Sequence, residues 1–446
     1  MQCFKNWLYN FFCCGCCKKS PLVYLNEVNT KLLPKNEATV ALLEKNELFC
    51  FGSVPDNLRW MDINSFNSLV KKIVTGKNHC LILFEDGQLF GFGGNEEGQL
   101  GMNISEIKYD SLTLIRYSDN NNIINNQRIE DIAAGDNFSL ILVRDSQNNQ
   151  HLLRFGIKLI DKYNVDARNN NEYDIQVVNP EILPENLTTE IDKIYAFGKR
   201  VIFCTKKNNQ GLQQIFIGGY DFNDNKIEDG KYVELIENNN IIFTDIYLGQ
   251  NFCLLFDSTL GKIYGIGDNT YSEMSKIKTK NNMFKELSIS FNIKIKKISV
   301  GARHCLFLLE NGDVYVLGDN SENQCIGLNS KVDIPKKLEY HRKQKVKDIY
   351  CGYTHNFIIL DNGDVLSWGD ASMGKLGYGE EQFTQSAPKE ILSLKEKCVY
   401  YVCLGFQMSI VVTGKKIDSI VEKNINTIEN NMIAIDKIDN KNNYFI

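Results

Sequence analysis

Residues 76–101 read GKNHCLILFEDGQLFGFGGNEEGQLG, with seven glycines and a single histidine, His79. A phosphate-cradling loop follows a strand, opens a helix and carries Gly-Lys-Ser or Gly-Lys-Thr. Neither tripeptide occurs anywhere in the chain. The stretch instead returns at 298–318 as ISVGARHCLFLLENGDVYVLG and at 349–369 as IYCGYTHNFIILDNGDVLSWG. Fainter copies stand at 132–143 (IAAGDNFSLILV), 194–204 (IYAFGKRVIFC), 246–267 (IYLGQNFCLLFDSTLGKIYGIG) and 401–412 (YVCLGFQMSIVV).

The anchoring glycines are Gly76, Gly135, Gly198, Gly249, Gly301, Gly352 and Gly405, with gaps of 59, 63, 51, 52, 51 and 53 residues. A period just above 50 marks stacked supersecondary units. Each unit holds an apolar run, a Gly or Asn-Gly, and a second run ending in Gly. Asn311-Gly312, between Leu306–Leu309 and Val314–Leu317, predicts a type I′ hairpin turn, which needs positive φ at both central residues. The runs are apolar on both faces, so each sheet is covered on both sides, as in stacked propeller blades. The last unit lacks its second run, and ATVALLEKNELFCFG at 38–52 resembles the missing half. The expected fold is all-β: a single seven-bladed β-propeller over residues 36–414, closed by the N-terminal strand. A Cys-rich segment, 1–35, precedes it and a polar tail, 415–446, follows.

The pattern Gly-x-x-His, apolar run, Gly-x-Val-Tyr, Gly-x-Asn, Gly-Gln-Leu-Gly resembles the repeat of the regulator of chromosome condensation family, over roughly residues 38–414. The best-known member of that family promotes nucleotide release from the small GTPase Ran. The resemblance implies a guanine-nucleotide exchange site in which Asp136, after the anchoring glycine of unit two, and His304, in the Gly-x-x-His of unit five, contact the GTPase. A loop matching FGIKLIDKYNV, 155–165, forms a wedge in that member, but this chain does not carry the wedge sequence. His79, His304 and His355 share one phase of the repeat, which argues for hydrogen-bonded structural histidines.

The bulk composition is neutral toward nucleic acid, with a net charge of −5. Two lysine-rich segments, at 331–347 and Lys294–Lys297, are read as solvated loops rather than phosphate tracks. Nine of the 14 cysteines are scattered singly in the repeats, like small buried hydrophobes. The other five, Cys3, Cys13, Cys14, Cys16 and Cys17, crowd MQCFKNWLYNFFCCGCCKKS beside Trp7, Tyr9, Phe11 and Phe12. That apolar stretch is too short to span a bilayer. Its cysteines and Lys pair suit S-palmitoylation at a membrane surface. A zinc site is disfavoured because adjacent cysteines strain a tetrahedral ligand set.

No metal, cofactor or covalent catalysis is expected. The expected function is a monomeric interaction platform, cytoplasmic and membrane-associated, that binds a protein partner through blade loops. The alternatives are an exchange factor for a Ran-like or other small GTPase, and a nuclear chromatin-binding regulator, which the N-terminal segment disfavours.

Overall fold

The structure is a computed structural model. It describes residues 46–66, 68–102, 105–115, 128–156, 179–180, 183–184, 187–228, 231–236, 241–275, 283–326, 330–340, 344–379 and 383–414. Those residues form seven four-stranded antiparallel sheets, one per repeat. Blade five shows the plan: Ile295–Val300 innermost, then His304–Leu309, Val314–Asp319 and the outer Lys331–Lys337. The second strand is buried at every position in all blades but the second, since neighbouring blades cover both its faces. Apolar clusters accordingly bridge blades: Leu306, Leu308 and Val316 of blade five pack with Ile349, Ile358 and Trp368 of blade six. The nine cysteines among the described residues are free thiols, and burial pushes that of Cys50 up to about 12.

Closure joins the two ends of the ring. Blade seven takes Val399–Leu404 and Met408–Thr413 from one end of the chain and Glu47–Gly52 and Trp60–Asp62 from the other. Leu48 pairs with Val412 and Cys50 with Ile410, and both Leu48 and Cys50 are buried. The N-terminal end thus supplies two strands rather than one. The part of the expected run before residue 46 lies outside the described residues.

Two local expectations are corrected. The turn at Asn311-Gly312 is not type I′. Gly312 takes φ +87°, but Asn311 does not adopt positive φ. The Gly312 N–H donates to Leu309 O at 2.9 Å, so a turn over 309–312 ends in a left-handed glycine, a bulged hairpin loop. The anchor of unit three is Phe197, not Gly198. Ala196 pairs with Val201 and Phe197 with Arg200, as Thr75 pairs with Cys80 and Val300 with Cys305 elsewhere. Gly198 sits one step beyond the anchor, at φ +60°.

The repeat histidines latch neighbouring blades. His79 Nε2 meets Ser139 Oγ at 2.9 Å, His304 Nε2 meets Asn356 Oδ1 at 2.7 Å, and His355 Nε2 meets Ser409 Oγ at 2.7 Å. The Asn356 amide donates through Nδ2 to Gln324 O, so its Oδ1 must accept from His304. His304 is therefore the Nε2–H tautomer, and its Nδ1 is buried without a hydrogen-bond partner. Protonation would bury an uncompensated charge. Burial accordingly pulls His79 down to about 3, His304 down to about 4 and His355 well below its usual value. The anchoring glycine makes room for the ring: a Cβ on Gly301 would lie 2.2 Å from His304 Cε1.

Candidate functional site

The innermost strands enclose a channel of about 410 Å³ along the ring axis. At one end the chain turns back after each anchor, and adjacent blades join in a belt of backbone hydrogen bonds. Lys77 N–H donates to Asp136 O at 3.0 Å and Asp136 N–H to Gly198 O at 2.7 Å. Gln250 N–H donates to Ala302 O at 2.8 Å, Ala302 N–H to Tyr353 O at 3.1 Å and Tyr353 N–H to Gly405 O at 3.0 Å. The belt fixes the backbone of the channel mouth, so the side chains there are held on rigid elements.

Three aromatic rings floor the mouth. Phe197 of blade three stacks on Tyr353 of blade six, with centroids 5.8 Å apart and planes 14° apart. Tyr353 meets Phe406 of blade seven edge-on at 4.4 Å. All three are half-buried. Phe197 occupies a position that is glycine in the other six blades. The His position of blade three is Arg200, whose guanidinium turns away to Asp221 O, Gln250 O and Asp224. The substituted anchor and the missing histidine therefore belong to one local change.

Charged groups ring this floor. Lys77 Nζ lies 5.9 Å from the Phe406 ring and Lys199 Nζ lies 5.3 Å from the Tyr220 ring; both lysines are exposed. Arg303 stacks its guanidinium 4.5 Å over Tyr271, donates from Nη1 to the Tyr271 hydroxyl and from Nε to Gln250 Oε1, both at 2.9 Å. Asp136 is half-buried. Burial raises its carboxyl above the usual range, while Lys77 and Lys199 pull it back down. Burial also raises the Tyr353 phenol, against the nearby Arg303.

Asp136 thus stands at the mouth on blade two. His304 lies behind the mouth, in the wall between blades five and six, fully buried and bonded to Asn356. Gly156 ends the third strand of blade two, and residues 157–165 of the wedge-matching loop lie outside the described residues. So do Cys3, Cys13, Cys14, Cys16 and Cys17. The lysine-rich stretch Lys331–Lys337 is the outer strand of blade five rather than a loop, and two of its lysines pair with acids. Lys337 meets Asp313 at 2.9 Å and Lys331 meets Asp333 at 3.5 Å; on the innermost strand, Lys297 meets Asp348 at 2.5 Å. Among the described residues no group of three or more His, Cys, Asp or Glu side chains is placed to hold a metal ion. Nor is any helix there long and apolar enough to cross a membrane.

Phe197, Tyr353, Phe406, Arg303, Lys77 and Lys199 were not picked out from sequence. The signal available was phase: each stands within two residues of its anchor, where the blades face one another around the axis.

A closed ring of seven four-stranded repeat units is a repeat β-propeller, and the comparisons agree. Two profiles described as Regulator of chromosome condensation (RCC1) repeat match, one at residues 70–99, 295–324 and 346–375, the other at 86–142, 311–359 and 362–412. The chain thus carries repeats of the regulator of chromosome condensation type in an RCC1-like propeller. It is similar to Protein RCC2 of Homo sapiens, 23% identical over 369 residues that cover 80% of this chain and 59% of that protein. It is also similar to the Protein RCC2 homolog of Danio rerio, 24% identical over 353 residues, covering 78% and 61%. The chain thus spans about three fifths of the length of these relatives. Among solved structures, human WBSCR16 superimposes with TM-score 0.64 at 15% identity, covering 84% of this chain and 100% of that one. Prp20p from Saccharomyces cerevisiae, described with its binding properties to Gsp1p and histones, gives TM-score 0.64 at 18% identity, covering 87% and 96%.

Proposed function

We propose that this propeller is a non-catalytic interaction platform that binds a protein partner at the channel-mouth face. The observation that carries the reading is the mouth itself: half-buried aromatics and a surplus of cations set on a hydrogen-bonded backbone belt. Aromatic and arginine side chains in such settings are the residues that anchor protein interfaces. Proximity labelling in cells with the wild type and with a Phe406→Ser/Lys77→Ser variant tests it. The reading requires partners that the variant loses; an identical set of labelled proteins refutes it.

A second reading, guanine-nucleotide exchange on a small GTPase, is favoured by the position of Asp136 at the mouth and by the Gsp1p binding of Prp20p. Exchange needs no nucleophile; it works by tighter binding to the nucleotide-free GTPase. In this reading Asp136 contacts the GTPase and His304 keeps blades five and six in register. Release of fluorescent nucleotide from a GTPase panel, with the wild type and Asp136→Ala, tests it. No acceleration of any GTPase by the wild type refutes it. The histone binding of Prp20p supports chromatin as a third partner class, but the pairing of Lys331 with Asp333 and of Lys337 with Asp313 argues against a phosphate track here.

We further propose that Cys3, Cys13, Cys14, Cys16 and Cys17 carry acyl chains that hold the platform on a cytoplasmic membrane surface. Support comes from the clustering of these cysteines beside aromatics and a Lys pair. Serine replacement of all five, followed by fractionation, tests the tether; unchanged membrane association refutes it.

A further inference from the structure

The cations at the mouth have an arrangement unlike that of others near this face. Buried Arg200 meets Asp224, and buried Lys375 meets Asp370. Arg303 is held by two neutral groups, Gln250 and Tyr271, and stacked on the Tyr271 ring. Its guanidinium is therefore oriented in advance and its charge is uncompensated at contact distance. Lys77 and Lys199 face aromatic rings, and neither forms an ion pair among the described residues. Three cations against the single carboxylate of Asp136 leave a local surplus of positive charge in a chain whose net charge is −5. The floor between them is the half-buried surface of Phe197, Tyr353 and Phe406.

We propose that the channel mouth is the docking site for an acidic loop or terminus of a protein partner. The partner's carboxylates meet Arg303 and Lys199, and an apolar side chain lies on Phe406 and Tyr353 beside Lys77. This names the chemistry of the partner and rests on the reading of this face as the interaction face. Charge complementarity selects the occupant: Arg presents a fork that matches a carboxylate, and orientation in advance lowers the entropy lost on binding. An extended phosphodiester chain is a poorer fit, because Asp136 stands among the cations and the patch is one compact ring rather than a track. The aromatic floor supplies the apolar half of the contact, as at the buried centre of an interface rimmed by polar groups.

The test uses fluorescence anisotropy on the full chain with fluorescein-labelled Gly-Asp-Phe-Glu-Asp-Leu-Gly. Its counterpart Gly-Lys-Phe-Lys-Lys-Leu-Gly and a labelled single-stranded oligothymidylate serve as comparison probes. The acidic peptide is expected to bind the wild type at least tenfold tighter than the lysine peptide. Lys199→Glu/Arg303→Glu is expected to reverse that order, and Phe406→Ser to weaken the acidic peptide at least threefold. Arg303→Gln, which keeps the polar packing, is expected to weaken it several-fold, so the result does not depend on the charge-reversed variant alone. Melting curves of each variant establish that it is folded. Absence of acidic-peptide binding, equal affinity for both peptides, tighter binding of the oligothymidylate, or indifference to the substitutions at 199 and 303 overturns the inference. The two failures are distinct: if the proximity-labelled partners still depend on Phe406 and Lys77 while the acidic peptide does not bind, the platform reading stands and only this inference falls.

Discussion

The latch between blades five and six yields a prediction with a built-in control, because the chain itself contains two versions of the joint. Where the first residue of the second strand is His, the next blade offers a polar partner: Ser139 for His79, Asn356 for His304, Ser409 for His355. In blades two, four and seven the position is Phe138, Phe252 and Met408, and the aligned residues of the next blades are Val201, Cys305 and Cys80. In these six joints the pair is either polar with polar or apolar with apolar; in blade three Arg200 turns away to Asp221 O and Gln250 O. His304→Phe alone leaves Asn356 Oδ1 buried without a donor, a loss of about 2 kcal/mol. Asn356→Cys alone strands the His304 Nε2–H at a similar cost, about 2 kcal/mol, while Gln324 O keeps the Trp368 indole N–H at 3.0 Å. The double variant reproduces the Phe252–Cys305 pairing and is expected to lie within about 1–2 kcal/mol of the wild type, a coupling of about 2 kcal/mol. At about 2.1 cal/mol/K per residue over roughly 370 residues, each single change lowers the melting temperature by about 2–3 °C. The double variant is expected to melt above the additive sum by a similar amount. Calorimetry or urea midpoints on the four proteins measure this. A coupling below about 0.5 kcal/mol would falsify the latch as an energetic unit.

Further predictions concern pH, a buried acid and ring closure. The three latch histidines are neutral when folded and titrate near pH 6.5 when unfolded, so the unfolded state binds more protons below that pH and stability falls as pH drops from about 6.5 toward 4. Each contributes about 1.4 kcal/mol per pH unit across its window, and His304→Phe/Asn356→Cys is expected to show a shallower acid slope in melting temperature than the wild type. Glu273 acts with the opposite sign. Burial raises its carboxyl to about 8, so it is protonated when folded, and its contribution is lost as pH rises from 4.5 through about 8. Its Oε2 accepts the Tyr271 N–H at 3.0 Å, the contact that Gln99 and Gln324 make in blades one and five, so Glu273→Gln is expected to raise the melting temperature at pH 9 more than at pH 5. An equal change at both values counts against a protonated Glu273. Leu48→Ala, in the closing strand, is expected to cost about 2–5 kcal/mol by leaving a cavity in the joint between blades seven and one. A loss below about 1 kcal/mol by denaturant midpoint means that the closing strand does not share the ring's core.

Much of the ring was legible because its signals are local. The recurrence of Gly301-Ala302-Arg303-His304 as Gly352-Tyr353-Thr354-His355 sets blade period and strand order, and the incomplete last unit announces closure. Local turn detail was less legible: Asn311-Gly312 is compatible with two hairpin loops, and the choice depends on the register of Leu308 against Val314. The eroded third unit reads one residue out of phase, because Gly198 lies next to the position that is glycine in the other six units. Only the pairing of Phe197 with Arg200 shows that an aromatic has taken the anchor.

By itself, then, the sequence determined the number of blades, the glycines that admit the histidine rings and the hydrophobic faces that stack blade on blade, since all of these follow from residues adjacent in the chain or one period apart. Only the tertiary structure decided which side chains share the channel mouth. Phe197 and Tyr353 stand 156 positions apart in the sequence and stack because ring closure carries blades three and six to opposite sides of one axis. The same closure sets Lys77, Lys199, Arg303 and Asp136 around them, a constellation with no linear spacing to read.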